Sequence, residues 1–118
     1  MRLVDVARSV AANAISVNIL EGKAGRLIGR PAMVKVWCAS SAAGILMTAK
    51  LSTNGIVQTA FDDQEVPGTN RYPLPLEDFI TEFPVSPGAG GDELIITLRN
   101  RTAGALTVTT VVDILPVG

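Results

Sequence analysis

"GGDELIITLRNRTAGALTVTTVVDILPVG", residues 90–118, is the stretch on which the fold turns. Read with a period of two, Leu94, Ile96 and Leu98 share one face of a strand, and Leu106, Val108, Thr110, Val112 and Ile114 share one face of the next. Asn100 to Gly104 lie between them and supply turn chemistry. A hairpin that pairs Arg99 with Ala105 sets Leu98 opposite Leu106, Ile96 opposite Val108 and Leu94 opposite Thr110. A slip of one residue would turn every one of these side chains to the wrong face, so pattern and turn agree on one register. The other face carries Thr97, Arg99, Thr107, Thr109 and Asp113, which predicts a half-buried hairpin. Val111, Leu115 and Val117 interrupt that polar face and predict burial on both sides near the end, by the sandwich or by a neighbour.

Working towards the amino terminus, "GILMTAKLSTNGIVQTAF", residues 44–61, reads as a second hairpin. A two-residue Asn54-Gly55 turn would pair Leu51 with Gln58 and mix the faces. A three-residue Thr53-Asn54-Gly55 loop pairs Leu51 with Val57, Ala49 with Thr59 and Met47 with Phe61, and is preferred. "AMVKVWCA" alternates before it, so three sequential antiparallel strands are expected from Ala32 to Phe61. Residues 62–91 hold five of the seven prolines and admit one short strand, Phe79 to Phe83. "AISVNIL" alternates Ile15, Val17 and Ile19 against Ser16 and Asn18 and reads as a strand. Residues 1–13 have a basic start and an Ala-x-Ala end at Ala12–Ala14, but Asp5 and Arg8 interrupt the apolar stretch of a signal peptide. They are expected to form an amino-terminal arm, with residues 14–118 as one domain. Short strands separated by Gly- and Pro-rich turns, with an excursion at 62–91 that fits a Greek-key crossing, predict an all-β antiparallel sandwich. A jelly roll is the first choice and an immunoglobulin-like sandwich the second.

Composition limits the function. The chain has 118 residues, 47% apolar and only 18% charged, against roughly 25% charged in an average soluble domain. So small a globule normally carries more charge, and the shortage predicts burial against other subunits. No run approaches the roughly 18 consecutive apolar residues of a spanning helix, so the chain reads as soluble and oligomeric. Net charge is −1, which opposes bulk attraction to nucleic acid. Residues 1–35 nevertheless hold Arg2, Arg8, Lys23, Arg26, Arg30 and Lys35 against Asp5 and Glu21, a balance of +4. The remainder balances at −5. Such asymmetry fits a polar assembly or a head-to-tail contact, or charge scattered over a solvated surface. Contact with nucleic acid is open only to those six basic residues.

There is no histidine, which removes Ser-His-Asp and Cys-His catalysis and His-based zinc sites. Cys38 is the only cysteine and forms no internal disulfide. "GAGG" at 88–91 lacks the lysine and helix of a phosphate loop. Asp62, Asp63 and Glu65 are weak candidates for a calcium site, without the spacing of a known loop; an acidic solvated loop is the commoner meaning. An enzyme would have only paired carboxylates to use, Asp62 with Glu65 or Glu77 with Glu82. Asn100-Arg101-Thr102 matches a glycosylation sequon. Trp37 and Tyr72 are the candidate platform for a sugar or other ligand, although a core Trp and a loop-anchoring Tyr are the plainer reading. No catalytic residue and no cofactor is expected.

The strand spacing, the "TNG" hairpin and "DELIITLRNRTAGALTVTTVVDIL" together resemble the single jelly-roll or β-sandwich structural proteins of virus particles, including phage coat and cement (decoration) proteins. The resemblance implies symmetric assembly with itself and with other virion proteins, an arm reaching a neighbour, and a location in the capsid, or in the host cytoplasm during assembly. Leu3, Val4, Val6 and Val10 of the arm, with Val111, Leu115 and Val117, are then the expected subunit contacts. A carbohydrate- or ligand-binding sandwich module, using Trp37, Tyr72 and the loops of 62–91, is the alternative.

Overall fold

A computed structural model describes residues 1–117. It contains eight strands: β1 (Arg2–Val10), β2 (Leu27–Ile28), β3 (Ala32–Ser40), β4 (Ile45–Thr53), β5 (Ile56–Glu65), β6 (Phe79–Val85), β7 (Asp92–Asn100) and β8 (Leu106–Pro116). They form two antiparallel four-stranded sheets, ordered β1-β8-β3-β6 and β2-β7-β4-β5, which pack face to face as a β-sandwich. Each strand of the first half pairs with its counterpart counted back from the end: β1 with β8, β2 with β7, β3 with β6, β4 with β5. The chain is thus a long antiparallel ribbon folded over on itself. The excursion between β5 and β6 crosses from one sheet to the other.

Alternation builds the core as expected. Leu94, Ile96 and Leu98 of β7 and Val108 and Val112 of β8 are fully buried, with Ile114 close behind. They meet Val34, Val36 and Cys38 of β3 and Ile45, Met47 and Ala49 of β4 between the sheets. Phe61 and Phe83 close one flank edge to face, with centroids 5.9 Å apart. Ile19 and Leu20 also enter the core.

The strand partners differ from expectation. β7 and β8 do not form a hairpin; they lie in opposite sheets. Leu98 faces Met47 of β4, and Leu106 faces Val10 of β1. A period of two states which face is buried, and an arch between two sheets buries the same faces as a hairpin within one. Asn100 makes the arch: its side-chain amide donates to the Val10 and Gly104 carbonyls at 3.0 and 2.9 Å, and its Oδ1 accepts the Thr102 N–H and hydroxyl. The same limitation applies to Ala32–Phe61, where the Ser41–Gly44 link carries the chain from β3 in one sheet to β4 in the other.

The β4–β5 hairpin is real, but it uses the two-residue Asn54-Gly55 turn. Thr53 pairs with Ile56 and Leu51 with Gln58, and both turn residues have positive φ, +51° and +83°. Bulges around Ala49 restore the inward face, so the mixing that argued against this turn is repaired further along. β6 runs on through Pro84 to Val85, which an edge strand tolerates because its outer N–H groups need no partner.

Residues 1–13, expected as an arm, contain β1, an edge strand of the sandwich held to β8 from Arg2 to Val10. A bulge between Asp5 and Arg8, with Ala7 at φ +50°, breaks its outer edge. Residues 14–20 form no regular strand, only a bridge from Ile15 to Arg99. They run beside β7, where Ser16 Oγ and Asn18 Oδ1 accept the Leu98 and Ile96 N–H groups at 2.9 and 3.0 Å. Side chains thus take over ladder bonds and cover that edge of the sheet.

Candidate functional site

The paired ribbon also determines where the charges meet. Because β1, β2 and β3 lie beside β8, β7 and β6, the basic first third of the chain contacts the acidic remainder directly. Arg2 pairs with Asp113 at 2.7 Å, Arg26 with Glu93 at 2.8 Å and Lys35 with Glu82 at 3.9 Å. Arg8 pairs with Asp5 at 2.7 Å. The asymmetry is therefore balanced largely within the chain. On the outer face of the first sheet the register lines up Arg2, Asp113, Lys35 and Glu82 as a row of alternating sign across all four strands. The Arg2 hydrogen bonds, against a smaller opposing effect of burial, hold the Asp113 carboxyl below the usual carboxylate range, with the nearby charges adding to it.

The neighbouring row on that face is apolar: Val4, Val111, Trp37 and Phe79. It is covered in part by the proline-rich loop of residues 66–78. A shift of register between Val36 and Trp37 releases β6 from β3, and the loop then bonds to the end of β3. Cys38 N–H donates to the Asp78 carbonyl, Ser40 N–H to Pro67, and Asn70 N–H to Ser40. Gly68 passes so close to Ala42 and Ala43 that a Cβ has no room.

Asp78 organises this loop from a fully buried position. Its carboxylate accepts the Leu74 N–H at 2.8 Å, the Thr69 hydroxyl at 3.1 Å and Arg71 Nε at 3.2 Å. Burial alone raises a carboxyl pKa, but these donors and the Arg71 charge outweigh it, so Asp78 lies below its ordinary value.

The held loop places Tyr72 and Pro73 near Trp37. The Trp37 indole N–H donates to the Pro75 carbonyl at 3.0 Å, and its ring meets Phe79 edge on, centroids 5.6 Å apart. Arg2, Trp37, Tyr72, Pro73, Pro75 and Val111 line an open cleft of about 150 Å³. The structure therefore brings together the two aromatic residues singled out in the sequence, which are 35 positions apart. Arg2 and Val111 join them through strand register, which carries no local signal. Asp78 was missed too, as one acidic residue in a loop with no motif around it.

Other candidates are dispersed. Asp62 accepts the Thr48 hydroxyl, Asp63 pairs with Arg99 at 3.2 Å, and Glu65 lies 3.9 Å from Arg101. No group of three or more His, Cys, Asp or Glu side chains able to hold a metal occurs among the described residues. Glu82 is engaged by Lys35, and Asp92 accepts from Thr53. The sequon is closed, because Asn100 is 1% exposed and both ends of its amide are engaged. Cys38 is buried against Thr110, and burial pushes its thiol up to about 12. Native protein at pH 8 is therefore expected to resist labelling by a disulfide reagent, with full labelling after denaturation; rapid native labelling would refute the burial.

The expected contact residues separate into two groups. Val10 is in the core, Leu3 packs against it, Val4 is half-buried, and Val111 is 3% exposed in the covered apolar row. Val6, Leu115 and Val117 are 65, 41 and 50% exposed. No helix among the described residues is long and apolar enough to cross a membrane. No protein-family model matches the chain, and no curated protein shows significant similarity to it.

Proposed function

We propose that the protein is a structural component of a virus particle, of coat, minor capsid or decoration type, acting through contacts between its copies and with other virion proteins and not through catalysis. An apolar surface left open at one end of a sandwich whose core is already closed carries this reading. There Met1 and Leu27 are 69 and 60% exposed beside a groove of about 320 Å³ walled by Ile28, Ala32, Ile114 and Pro116. Contiguous exposed apolar surface on a thinly charged small domain marks a contact site.

The strand order adds support. Eight strands in two sheets, paired as a folded ribbon, follow the pattern of a jelly roll, an architecture that viral capsid proteins share with lectins. Contact with nucleic acid is disfavoured in this reading, since four of the six basic residues of 1–35 are held in ion pairs.

Replacing Leu27 by lysine tests the contact, because this side chain lines the groove, is 60% exposed and lies outside the core cluster. Self-association by sedimentation should weaken about 30-fold or more, with the urea midpoint of the dissociated monomer unchanged. A size distribution identical to that of the unaltered protein would remove the basis for assembly through this surface.

A further inference from the structure

We infer that the cleft between Trp37 and Tyr72 is a binding site for a neutral hexopyranose ring, such as an exposed residue of a glycan. This inference stands apart from the assembly reading, since the cleft lies on the outer face of the first sheet and not at the open apolar end.

Three features select the ligand. The lining is aromatic and apolar on one side, with Trp37, Tyr72, Pro73, Pro75 and Val111, and this suits the C–H face of a sugar. The opposite rim is Arg2, whose Nε and Nη2 are taken by Asp113 at 2.7 and 2.9 Å while its Nη1 remains outside that pair. Guanidinium N–H groups are then available to sugar hydroxyls, and Tyr72, 54% exposed, adds a phenol. Finally, Asp113 neutralises the Arg2 charge in place, and Lys35 beyond it is paired with Glu82. Among the described residues that line the cleft Arg2 is the one cation, and it is paired with Asp113, which disfavours nucleotides and acidic ligands.

The size agrees. About 150 Å³ of open space accommodates one six-membered ring and not an extended peptide. The loop that forms one wall is held by the buried Asp78, so the aromatic surface is largely formed before a ligand arrives. One ring bound in a shallow site saturates at millimolar concentration, on the order of 1–10 mM.

Trp37 is the only tryptophan and reports on its own cleft. Titrating the purified protein with methyl glycosides of glucose, galactose, mannose and N-acetylglucosamine should give a saturable change in Trp37 fluorescence with at least one of them. Tyr72→Ala should weaken that binding about tenfold, the equivalent of one aromatic contact, and Tyr72→Phe should keep it within about threefold. Tyr72 is 54% exposed and outside the core cluster, so unaltered urea denaturation should accompany both variants. Fluorescence indifferent to every glycoside, a response unchanged by Tyr72→Ala, or a response to adenosine or a proline-rich peptide but to no glycoside would each overturn the assignment. Titration at protein concentrations where the chain is monomeric separates this outcome from any failure of assembly.

Discussion

Asp78→Ala is expected to destabilise the protein by about 3 kcal/mol in urea unfolding. The substitution removes three hydrogen bonds to a fully buried carboxylate and leaves the Leu74 N–H without its acceptor. It should also shift Trp37 fluorescence, since Pro75, which accepts the indole N–H, belongs to the loop that Asp78 holds. Asp78→Asn separates charge from shape. The folded carboxyl lies below its unfolded value of about 3.9, so the charged form is favoured by folding. Its contribution is complete above that unfolded value and is lost as pH falls through the folded one. The unaltered protein should therefore lose stability on acidification below about pH 4, and Asp78→Asn, already weaker at pH 7, should lose less over the same interval. Equal acid sensitivity in the two proteins would mean that Asp78 carries no charge-dependent stability.

Asn100→Ala should cost a similar amount, about 3 kcal/mol. Its amide satisfies two carbonyls and one N–H where the chain leaves β7 for the opposite sheet and where β1 ends. Asn100→Asp distinguishes bonding from packing. It preserves volume but turns an acceptor towards the Val10 and Gly104 carbonyls at 3.0 and 2.9 Å, where a donor is required. It should be at least as damaging as alanine near neutral pH. An Asn100→Asp protein as stable as the parent would exclude this network as the anchor of the arch.

These two residues show what a linear reading could reach. Alternation identified the buried faces of β7 and β8, because burial on one face has a period of two whatever lies beside the strand. It could not identify neighbours, and the Leu98–Leu106 pairing gave way to Leu98–Met47 and Val10–Leu106. The preference for a three-residue β4–β5 loop failed for a related reason: the faces are restored by bulges around Ala49, away from the turn that was weighed.

Function was legible to a similar depth. Trp37 and Tyr72 stood out by residue type, yet the cleft exists because Trp37 pairs across from Val111 and Arg2 from Asp113. The excess of positive charge in residues 1–35 pointed outward to a partner, whereas pairing of early strands with late ones directs most of it inward to the chain's own carboxylates. Val111 broke a polar pattern because the chain's own cleft-forming loop lies over it, while Leu115 and Val117 broke it and remain exposed. Since β1 is a strand of the sandwich and Val10 part of its core, truncating residues 1–12 would disturb folding, and contact is better probed from the exposed end.

The most direct test of the central claim is the native mass of the unaltered protein, measured by light scattering across micromolar concentrations. Assembly through the open apolar end predicts a defined oligomer or shell many times the 12.3 kDa chain mass. A particle of 12.3 kDa at every concentration would contradict it.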